Sequence, residues 1–243
     1  MNDTPEQDRQ TMEDGEIVER LLKGIDAGDF VEGDRLLPER RLAETMEISR
    51  ARLRRALDHL KEEGRLFRHQ GQGTFVAPPP ALEVAGHETI SRQVTPQNVM
   101  EVRMEVEPAL AALAADRATR SELASLDRLM RATLSVNDPE AYEAADAVFH
   151  YRIAELAHNP LFLSIYQSIR AVRRHARWAD ERRLTHSQSR MSQLGRQHEA
   201  LTQAVMDRDP REAARLMEEH LVTVSNAMLR ERGERFVISA PQR

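Results

Sequence analysis

The sequence predicts a mainly α protein, with an N-terminal winged helix-turn-helix followed by an all-helical bundle of about six helices. Between Gly33 and Val76, two short amphipathic segments precede a Gly-rich hairpin pattern. Beyond Thr95, a capping residue followed by proline recurs before long amphipathic runs. No β pattern competes with these runs, so the second part of the chain is predicted to be helical throughout.

The first helix is predicted from apolar residues at helical spacing between Ile17 and Ile25, and we expect it to end near Gly28. A second, short helix opens at Pro38, because proline fits the first turn of a helix. Residues 1–12 are polar and are expected to form a flexible tail. The winged helix-turn-helix is therefore expected to span residues 13–77.

The third helix is the predicted DNA-reading helix. Ser49 is a suitable N-cap, since its hydroxyl can accept an otherwise unpaired backbone N–H. Leu53, Leu57 and Leu60 form the predicted buried stripe, and Gly64 ends the helix because glycine readily takes positive φ. In such a unit this helix lies in the major groove of DNA.

Charge in this unit is concentrated where DNA would lie. The segment 49–72 carries seven Lys/Arg against three Asp/Glu, although the whole chain has a net charge of −5. A local positive field on an acidic protein is typical of a site-specific reader of DNA rather than of a protein that coats it. The predicted DNA contacts are Arg40, Ser49, Arg50, Arg52, Arg54, Gln70, Gly71, Gly73 and Thr74.

Composition limits the class of protein. At 243 residues the chain can hold two modest domains. It contains no apolar run of eighteen residues and no signal-peptide pattern, and cysteine is absent, so a cytoplasmic protein without disulfides is expected.

The proline-rich stretch after Val76 cannot continue a strand or a helix, and residues 78–94 are predicted to be a linker. The helical domain is expected over 95–232 and a frayed tail over 233–243, with Ser121 as one of the helix caps. The predicted helical runs are 97–118, 121–136, 139–158, 160–183, 187–207 and 210–231.

Four of these helices aim an ionisable group at the core. On the first bundle helix the predicted stripe is Val99, Arg103, Val106, Leu110 and Leu113. On later helices, the stripes contain Asp146 with His150, then His198, then His220.

A buried charge or imidazole is costly unless it is paired or coordinated. Three histidines and one aspartate suit a divalent metal with nitrogen and oxygen ligands, and Asp146 and His150 lie one helical turn apart. The alternative is that each histidine is a separately satisfied core residue, but the convergence of four such groups favours a metal.

Other charged residues are expected to be ordinary. Ile165, Ile169 and Val172 are predicted to take the core face of their helix. The arginines beside them are therefore predicted to form a solvated or dimer-facing surface, and they are Arg170, Arg173, Arg174 and Arg177. The histidines for which the sequence suggests no partner are His59, His87, His175 and His186.

The N-terminal segment resembles the GntR family of bacterial transcription regulators. The resemblance covers about 44 residues in the same order. It departs from the family where a small hydroxyl residue and a threonine pair are usual, near Pro38 and at Ala51-Arg52. The matching pieces are Gly33-Asp34-Arg35-Leu36, Pro38-Glu39-Arg40, Leu42-Ala43, Ile48-Ser49-Arg50, Leu53-Arg54, Ala56-Leu57, Leu60, Gly64 and Gly71-Gln72-Gly73-Thr74-Phe75-Val76.

The second domain resembles the ligand-sensing FCD domain of FadR-like GntR regulators. This resemblance implies that Asp146 and the three histidines hold zinc or nickel, and that Arg103 meets the carboxylate of an effector. The shared pieces are Arg103 with Glu107-Pro108, Asp146 with Phe149-His150, His158-Asn159-Pro160, His198-Glu199 and Glu219-His220-Leu221.

The leading hypothesis is a metabolite-responsive transcription regulator, most often a repressor in the resembled family. We expect a homodimer on a palindromic operator, because two-fold dimers read paired half-sites. The cation and Arg103 would both attract negative charge, so the expected effector is a small organic acid such as a hydroxy acid, a sugar acid or a dicarboxylate. The alternative is that Arg103 only pairs with a neighbouring glutamate.

Two other classes stay open at this point. One is a metal-responsive regulator in which the ion itself is the signal. The other is a metalloenzyme, for which a base is lacking, since Glu199 points about 100° away from His198 around the helix. Turnover of a substrate, compared with retention of DNA, would discriminate between the classes.

Overall fold

The computed structural model describes residues 14–69, 73–76, 93–173 and 185–231 of the chain. The chain divides into two compact units, Met1–Pro79 and Pro80–Arg243. Both predicted tails, most of the predicted linker, and Gln70 and Gly71 lie outside the described residues. Within the described ranges, every helix is too short or too polar to cross a membrane.

In the part of the N-terminal unit that the structure describes, there are three helices and a small sheet. The helices are α1 (Asp14–Asp26), α2 (Glu39–Thr45) and α3 (Arg50–Glu62). The strands are β1 (Val31–Glu32), β2 (Arg35–Leu36), β3 (Phe67–His69) and β4 (Gly73–Phe75). All pairs are antiparallel in the order β1-β2-β4-β3, so the predicted hairpin β3–β4 is extended by β2 and β1, which the sequence did not indicate.

The local signals for α3 are confirmed. The Ser49 hydroxyl accepts a hydrogen bond from the backbone N–H of Arg52 at 3.3 Å. Leu53, Leu57 and Leu60 are buried in the core of the unit. Gly64 follows the helix with φ of 71°, a conformation that costs glycine little. These features fix the outward face of α3, on which the arginines lie.

The C-terminal unit contains six helices within the described residues, which agrees with the predicted bundle. They are α4 (Pro96–Arg117), α5 (Arg120–Ser135), α6 (Pro139–Leu156), α7 (Pro160–Arg173), α8 (Gln188–Met206) and α9 (Pro210–Glu231). Helix α4 packs mainly against α9 and also against α6, α7 and α8. The predicted run 160–183 is described only as far as Arg173.

The cap of α5 differs from the prediction. Thr119, not Ser121, is the N-cap, and its hydroxyl accepts from the backbone N–H of Glu122 at 3.3 Å. The Glu122 carboxylate in turn accepts from the Thr119 backbone N–H at 2.7 Å. This reciprocal arrangement satisfies two backbone donors, whereas a Ser121 cap would satisfy one.

Two predicted stripes are displaced around their helices. On α4, Val106 and Leu113 are only half-buried, while Glu107 and Ala114 are buried in their place. On α7, Ile165 is 39% exposed. The polar residue in the core is Glu107 on α4, and the polar residues in the core are Gln167 and Arg173 on α7. The predicted stripes had given these core positions to apolar residues.

Candidate metal centre and nucleic-acid interface

Four side chains converge in the interior of the C-terminal unit. Asp146 and His150 come from α6, His198 from α8 and His220 from α9, and all four are buried. Each offers one ligand atom, and these atoms all lie within 4.8 Å of one another. We refer to these four residues as the His3Asp cluster. The predicted convergence is therefore present in the structure.

The spacing of the ligand atoms suits one small cation. Nε2 of His150 lies 3.2 Å from Nε2 of His220. Oδ1 of Asp146 lies 3.4 Å from Nε2 of His198 and 3.6 Å from Nε2 of His150. Ligand atoms about 2.1 Å from an ion that takes more than four ligands stand roughly 3.0 Å apart in adjacent positions and roughly 4.2 Å apart in opposite ones, so these distances are close to those of a coordinated set.

The ring orientation of His198 is set by Thr133 of α5. The Thr133 hydroxyl donates to the Met130 carbonyl at 2.7 Å, so its oxygen accepts from Nδ1–H of His198 at 3.2 Å. With the proton on Nδ1, the Nε2 lone pair of His198 faces the cluster. Outer partners of this kind orient metal-binding histidines in proteins.

Glu107 of α4 performs the same task for His150. Its Oε2 accepts from Nδ1–H of His150 at 2.8 Å, which leaves the Nε2 lone pair of His150 facing Nε2 of His220. Burial, followed by the nearby imidazoles of His198 and His150, lowers the pKa of His220 well below its usual value. Neutral imidazoles with inward lone pairs are the state that metal binding requires, so the donor set fits a divalent ion.

Glu107 is also bound to the predicted effector residue. Arg103 is 1% exposed, and its Nε and Nη2 lie 2.5 and 3.3 Å from the two carboxylate oxygens of Glu107. Its Nη1 lies 3.7 Å from Sδ of Met100. Burial alone would raise the pKa of Glu107, but Arg103 and His150 outweigh it and lower that pKa to about 2. Glu107 is therefore ionised, and its pairing with Arg103 is the contact that the sequence offered as the alternative to an effector carboxylate.

Arg173 of α7 approaches the His3Asp cluster from another side. Its Nη2 lies 3.0 Å from Oε1 of Glu143 and 3.8 Å from Oδ2 of Asp146. The prediction that Arg173 belongs to a solvated surface is wrong, because the side chain is 6% exposed. Arg173 follows Tyr166 by two helical turns and so shares the core face that Tyr166 occupies.

Two histidines that the sequence left without partners have them. His186 is buried, with Nε2 3.7 Å from Oε2 of Glu143 and its ring 5.1 Å from that of Tyr142. His59 is exposed and lies 3.4 Å from Glu63, one turn further along α3. Only His186 belongs to the surroundings of the His3Asp cluster.

On the outward face of α3, the predicted DNA contacts are held by carboxylates. Nε of Arg54 lies 2.8 Å from Oε2 of Glu39, and the Arg52 guanidinium lies 3.3 Å from Oδ1 of Asp14. Arg50 is exposed, and the Arg40 side chain is 74% exposed. The Arg54 side chain is 67% exposed and that of Arg52 only 21%, so it is chiefly the Arg54 pair that contributes little stability and can exchange its carboxylate for a DNA phosphate at small cost.

The wing brings further cations to the same unit. Gly73 has φ of 118°, and a Cβ placed on it would come within 3.0 Å of Nε of Arg35. Thr74 is opposite Arg68 in the β3–β4 pair. Arg35 and Arg68 are both exposed, and neither is among the DNA contacts predicted from the sequence. The signal for them was the strand pairing, which a single sequence does not show.

A winged helix-turn-helix with an arginine-rich reading helix, in one chain with a helical domain that encloses a His3Asp cluster, defines a transcription regulator with a sensing domain. Residues 14–76 match the family described as bacterial regulatory proteins, gntR family, and residues 98–223 match the FCD domain. The chain therefore belongs to the GntR family and carries an FCD domain.

Curated relatives agree with this assignment, and a solved structure has a similar fold. The chain is 31% identical over 236 residues to a protein of Escherichia coli (strain K12) named as an L-lactate dehydrogenase operon regulatory protein, covering 88% of this chain and 86% of that one. It is 27% identical over 218 residues to the HTH-type transcriptional repressor NanR of Enterobacter sp. (strain 638), with 86% and 82% covered. The fold is similar to that of E. coli McbR/YncC, with a TM-score of 0.50, 17% identity, and 90% and 98% covered.

The family also excludes one of the classes of function that the sequence left open, the metalloenzyme. Its members are transcription regulators, so this chain is a regulator and not an enzyme. The His3Asp cluster must therefore be considered as part of a sensing domain.

Proposed function

We propose that the chain is a homodimeric repressor, released from a palindromic operator by a small organic acid that binds beside a divalent cation. The observation that carries this proposal is the buried convergence of Asp146, His150, His198 and His220. A sensing domain needs a site whose occupancy can change the helical packing, and this cluster joins three helices of the bundle.

The cation would be held by Nε2 of the three histidines and by Oδ1 of Asp146. Zinc suits this nitrogen and oxygen set, and nickel suits it as an alternative. When bound, the ion offers further coordination positions to a carboxylate or hydroxyl oxygen. Glu107 and Thr133 keep the imidazoles of His150 and His198 turned inward, so the protein holds the ligand set ready.

Arg103 is the proposed carboxylate partner on α4. Its Nε and Nη2 are bound by Glu107, whereas Nη1 contacts the sulfur of Met100, which is a weak acceptor. A carboxylate oxygen would be a better acceptor for Nη1 than a thioether. Arg103 can therefore contact an effector without losing Glu107.

The DNA contacts are proposed on α2, α3 and the wing. Arg50 and Arg54 lie one turn apart at the start of α3, where both can reach base edges in the major groove. Arg40, Ser49 and Arg52 would contact the flanking backbone, together with Gln70, Gly71, Gly73 and Thr74 of the wing. Repression is supported by the repressor name of one relative, and a hydroxy acid by the L-lactate operon named for another.

A second candidate is a regulator for which the ion itself is the signal. Burial of all four ligand residues favours it, because the site is complete within the protein and contains no cysteine. The two candidates differ in what changes DNA binding. In the first an acid acts while the ion stays bound, and in the second the ion alone acts.

The test is DNA retention by the full chain on an operator selected from random DNA. Fluorescence anisotropy is measured with zinc or with a chelator, and with or without L-lactate and other small carboxylates. Release by an acid only when zinc is present, and loss of this response in His198→Ala, supports the first candidate. A change with zinc alone supports the second, and no change under either condition contradicts both.

A further inference from the structure

A continuous series of charged groups crosses the interior of the C-terminal unit. It begins at Arg103 and Glu107, passes through His150 and Asp146, and continues beyond the His3Asp cluster. The contacts beyond Asp146 are Arg173 at 3.8 Å, Glu143 at 3.0 Å from Arg173, and His186 at 3.7 Å from Glu143. We refer to these seven residues as the charged series.

The net charge of this series depends on what is bound. It contains two guanidinium groups, on Arg103 and Arg173, and three carboxylates, on Glu107, Asp146 and Glu143, so with neutral imidazoles it carries −1. A divalent cation brings the sum to +1. An unbalanced charge is costly where water is excluded, which holds for six of the seven residues, whereas the Glu143 side chain is 29% exposed. One further negative charge restores neutrality, and two leave an excess.

Tyr166 adds a buried hydroxyl on the face of α7 that also carries Arg173. The residue is fully buried, and its hydroxyl has no hydrogen-bond partner among the described residues. Burial raises its pKa, as does the charge of Glu107, while Arg173 and Arg103 act in the opposite direction. Tyr166 lies two helical turns before Arg173 on the buried face of α7, so both side chains enter the interior from this helix. Buried hydroxyls without a partner are uncommon in proteins and call for an explanation.

We propose that Tyr166 and Arg173 of α7 complete the effector site, and that the effector is a small monocarboxylate with a second oxygen. This inference rests on the proposed function, in which an organic acid binds beside the cation. The Arg173 guanidinium lies 3.8 Å from Oδ2 of Asp146, beside the proposed cation, so a carboxylate bound to that cation would be within its reach. The Tyr166 hydroxyl would donate to the second oxygen of the ligand.

The net charge of the charged series and the Tyr166 hydroxyl each predict a different property of the ligand. Charge neutrality favours a ligand with one carboxylate over a ligand with two. The effector class expected from the sequence included both kinds of acid. The Tyr166 hydroxyl favours an acid that carries a hydroxyl or carbonyl oxygen over a plain fatty acid. Three acids test these two predictions separately. Malate adds a carboxylate to the L-lactate skeleton and so tests the charge, whereas propionate lacks the hydroxyl of L-lactate and so tests the hydrogen bond from Tyr166.

The experiment is calorimetric titration of the zinc-loaded full chain with these three acids. We expect L-lactate to bind at least about ten-fold more tightly than malate or propionate, the ratio that one lost hydrogen bond or one unbalanced charge commonly produces. Tyr166→Phe should weaken L-lactate binding about ten-fold and leave propionate unchanged. Arg173→Lys keeps the charge but loses the planar fork, so it should weaken all acids that bind.

The melting temperature without ligand distinguishes a binding role of Tyr166 from a structural role, because a structural role would make Tyr166→Phe less stable. Removing an unpartnered buried hydroxyl should leave the melting temperature without ligand unchanged or raise it, so Tyr166→Phe folds as wild type. Tyr151→Phe is the matched control, because Tyr151 is another fully buried tyrosine, with its ring 6.5 Å from that of Tyr166. It should not alter L-lactate affinity.

The outcomes separate this inference from the proposed function. If L-lactate binds and its affinity is the same in Tyr166→Phe, or if malate binds equally well, the inference is wrong while the organic-acid effector stands. If wild type with zinc binds none of the three acids, the proposed effector class is wrong and the inference with it. If the three acids and the two tyrosine variants behave as expected, the result supports the inference and also the organic-acid effector.

Discussion

The two units use the same residue types in opposite environments. In the N-terminal unit, arginine–carboxylate pairs lie on the surface, as with Arg54 and Glu39, whose side chains are 67% and 34% exposed. In the C-terminal unit, Arg103 and Glu107 form a pair with side chains 1% and 2% exposed. The first pair can exchange its partner with solvent or DNA at small cost, whereas the second cannot be separated without leaving a buried charge.

This difference indicates what each unit is suited to bind. Exchangeable surface arginines suit a long, highly charged partner that arrives from outside, as DNA does. Buried, mutually fixed charges suit a small ligand or ion that must be held in one geometry. Substitutions can test this contrast between exposed charges that exchange partners and buried charges that are held by one partner.

The largest effect should come from removing a fixed charge. Glu107→Ala leaves Arg103 buried without its carboxylate and removes the acceptor of His150, so the free energy of unfolding should fall by about 3–5 kcal/mol. Urea unfolding of the metal-free protein, followed by circular dichroism, measures this change. The absence of metal ensures that lost metal binding does not contribute.

The matched control is Glu212→Ala, because Glu212 also contacts Arg215 through two carboxylate oxygens but on the surface. This variant should show no measurable change. If the two variants lose similar stability, the contrast between the environments is wrong.

The next effect concerns the metal. Zinc at about one hundred times its dissociation constant should raise the free energy of unfolding of the C-terminal unit by about 2.7 kcal/mol, and the gain should disappear in His198→Ala. His158→Ala is the control, since His158 is exposed and contacts Glu122 instead. A wild-type protein whose unfolding does not respond to zinc would contradict the metal centre.

An exchangeable charge should affect binding rather than folding. Arg54→Ala should lower affinity for the selected operator about ten-fold to one hundred-fold without changing the unfolding midpoint. Arg131→Ala, an exposed arginine paired with Asp127 in the other unit, should leave DNA binding unchanged. Equal losses on operator and random DNA would show that Arg54 contacts only phosphate.

The smallest effect concerns helix caps, which occur in both units. Ser49→Ala and Thr119→Ala should each cost about 1 kcal/mol of stability, because each hydroxyl accepts a backbone N–H. Only Ser49→Ala should also weaken DNA binding. A similar loss of DNA binding in Thr119→Ala would show that Ser49 acts through stability alone.

The sequence predicted the helices well because their signals are local. The Ser49 cap, the Gly64 end and the proline-led starts of the bundle helices each depend on a few adjacent residues. Strands β1 and β2 were missed because each has two residues, too few for an alternating pattern. The Ser121 cap was wrong because Thr119 and Glu122 satisfy two donors together.

The site was predicted in its ligands but not in its surroundings. Histidines stand out on apolar stripes, whereas Glu107 and Arg173 resemble ordinary surface residues until the packing of helices is known. Rotating the assumed stripe of α4 by one residue replaces Val106 with Glu107 in the core. Which rotation occurs depends on the neighbouring helices, chiefly α9, and the sequence of α4 alone does not contain that information.

The complete burial of the His3Asp cluster has a consequence for time rather than affinity. Its four residues are between 0% and 2% exposed, so a bound ion would leave only during rare openings in which α6, α8 and α9 separate. The rate of ion exchange would then follow the opening rate of the bundle. A change in ion supply would therefore alter the occupancy of the site only after a delay set by that opening rate.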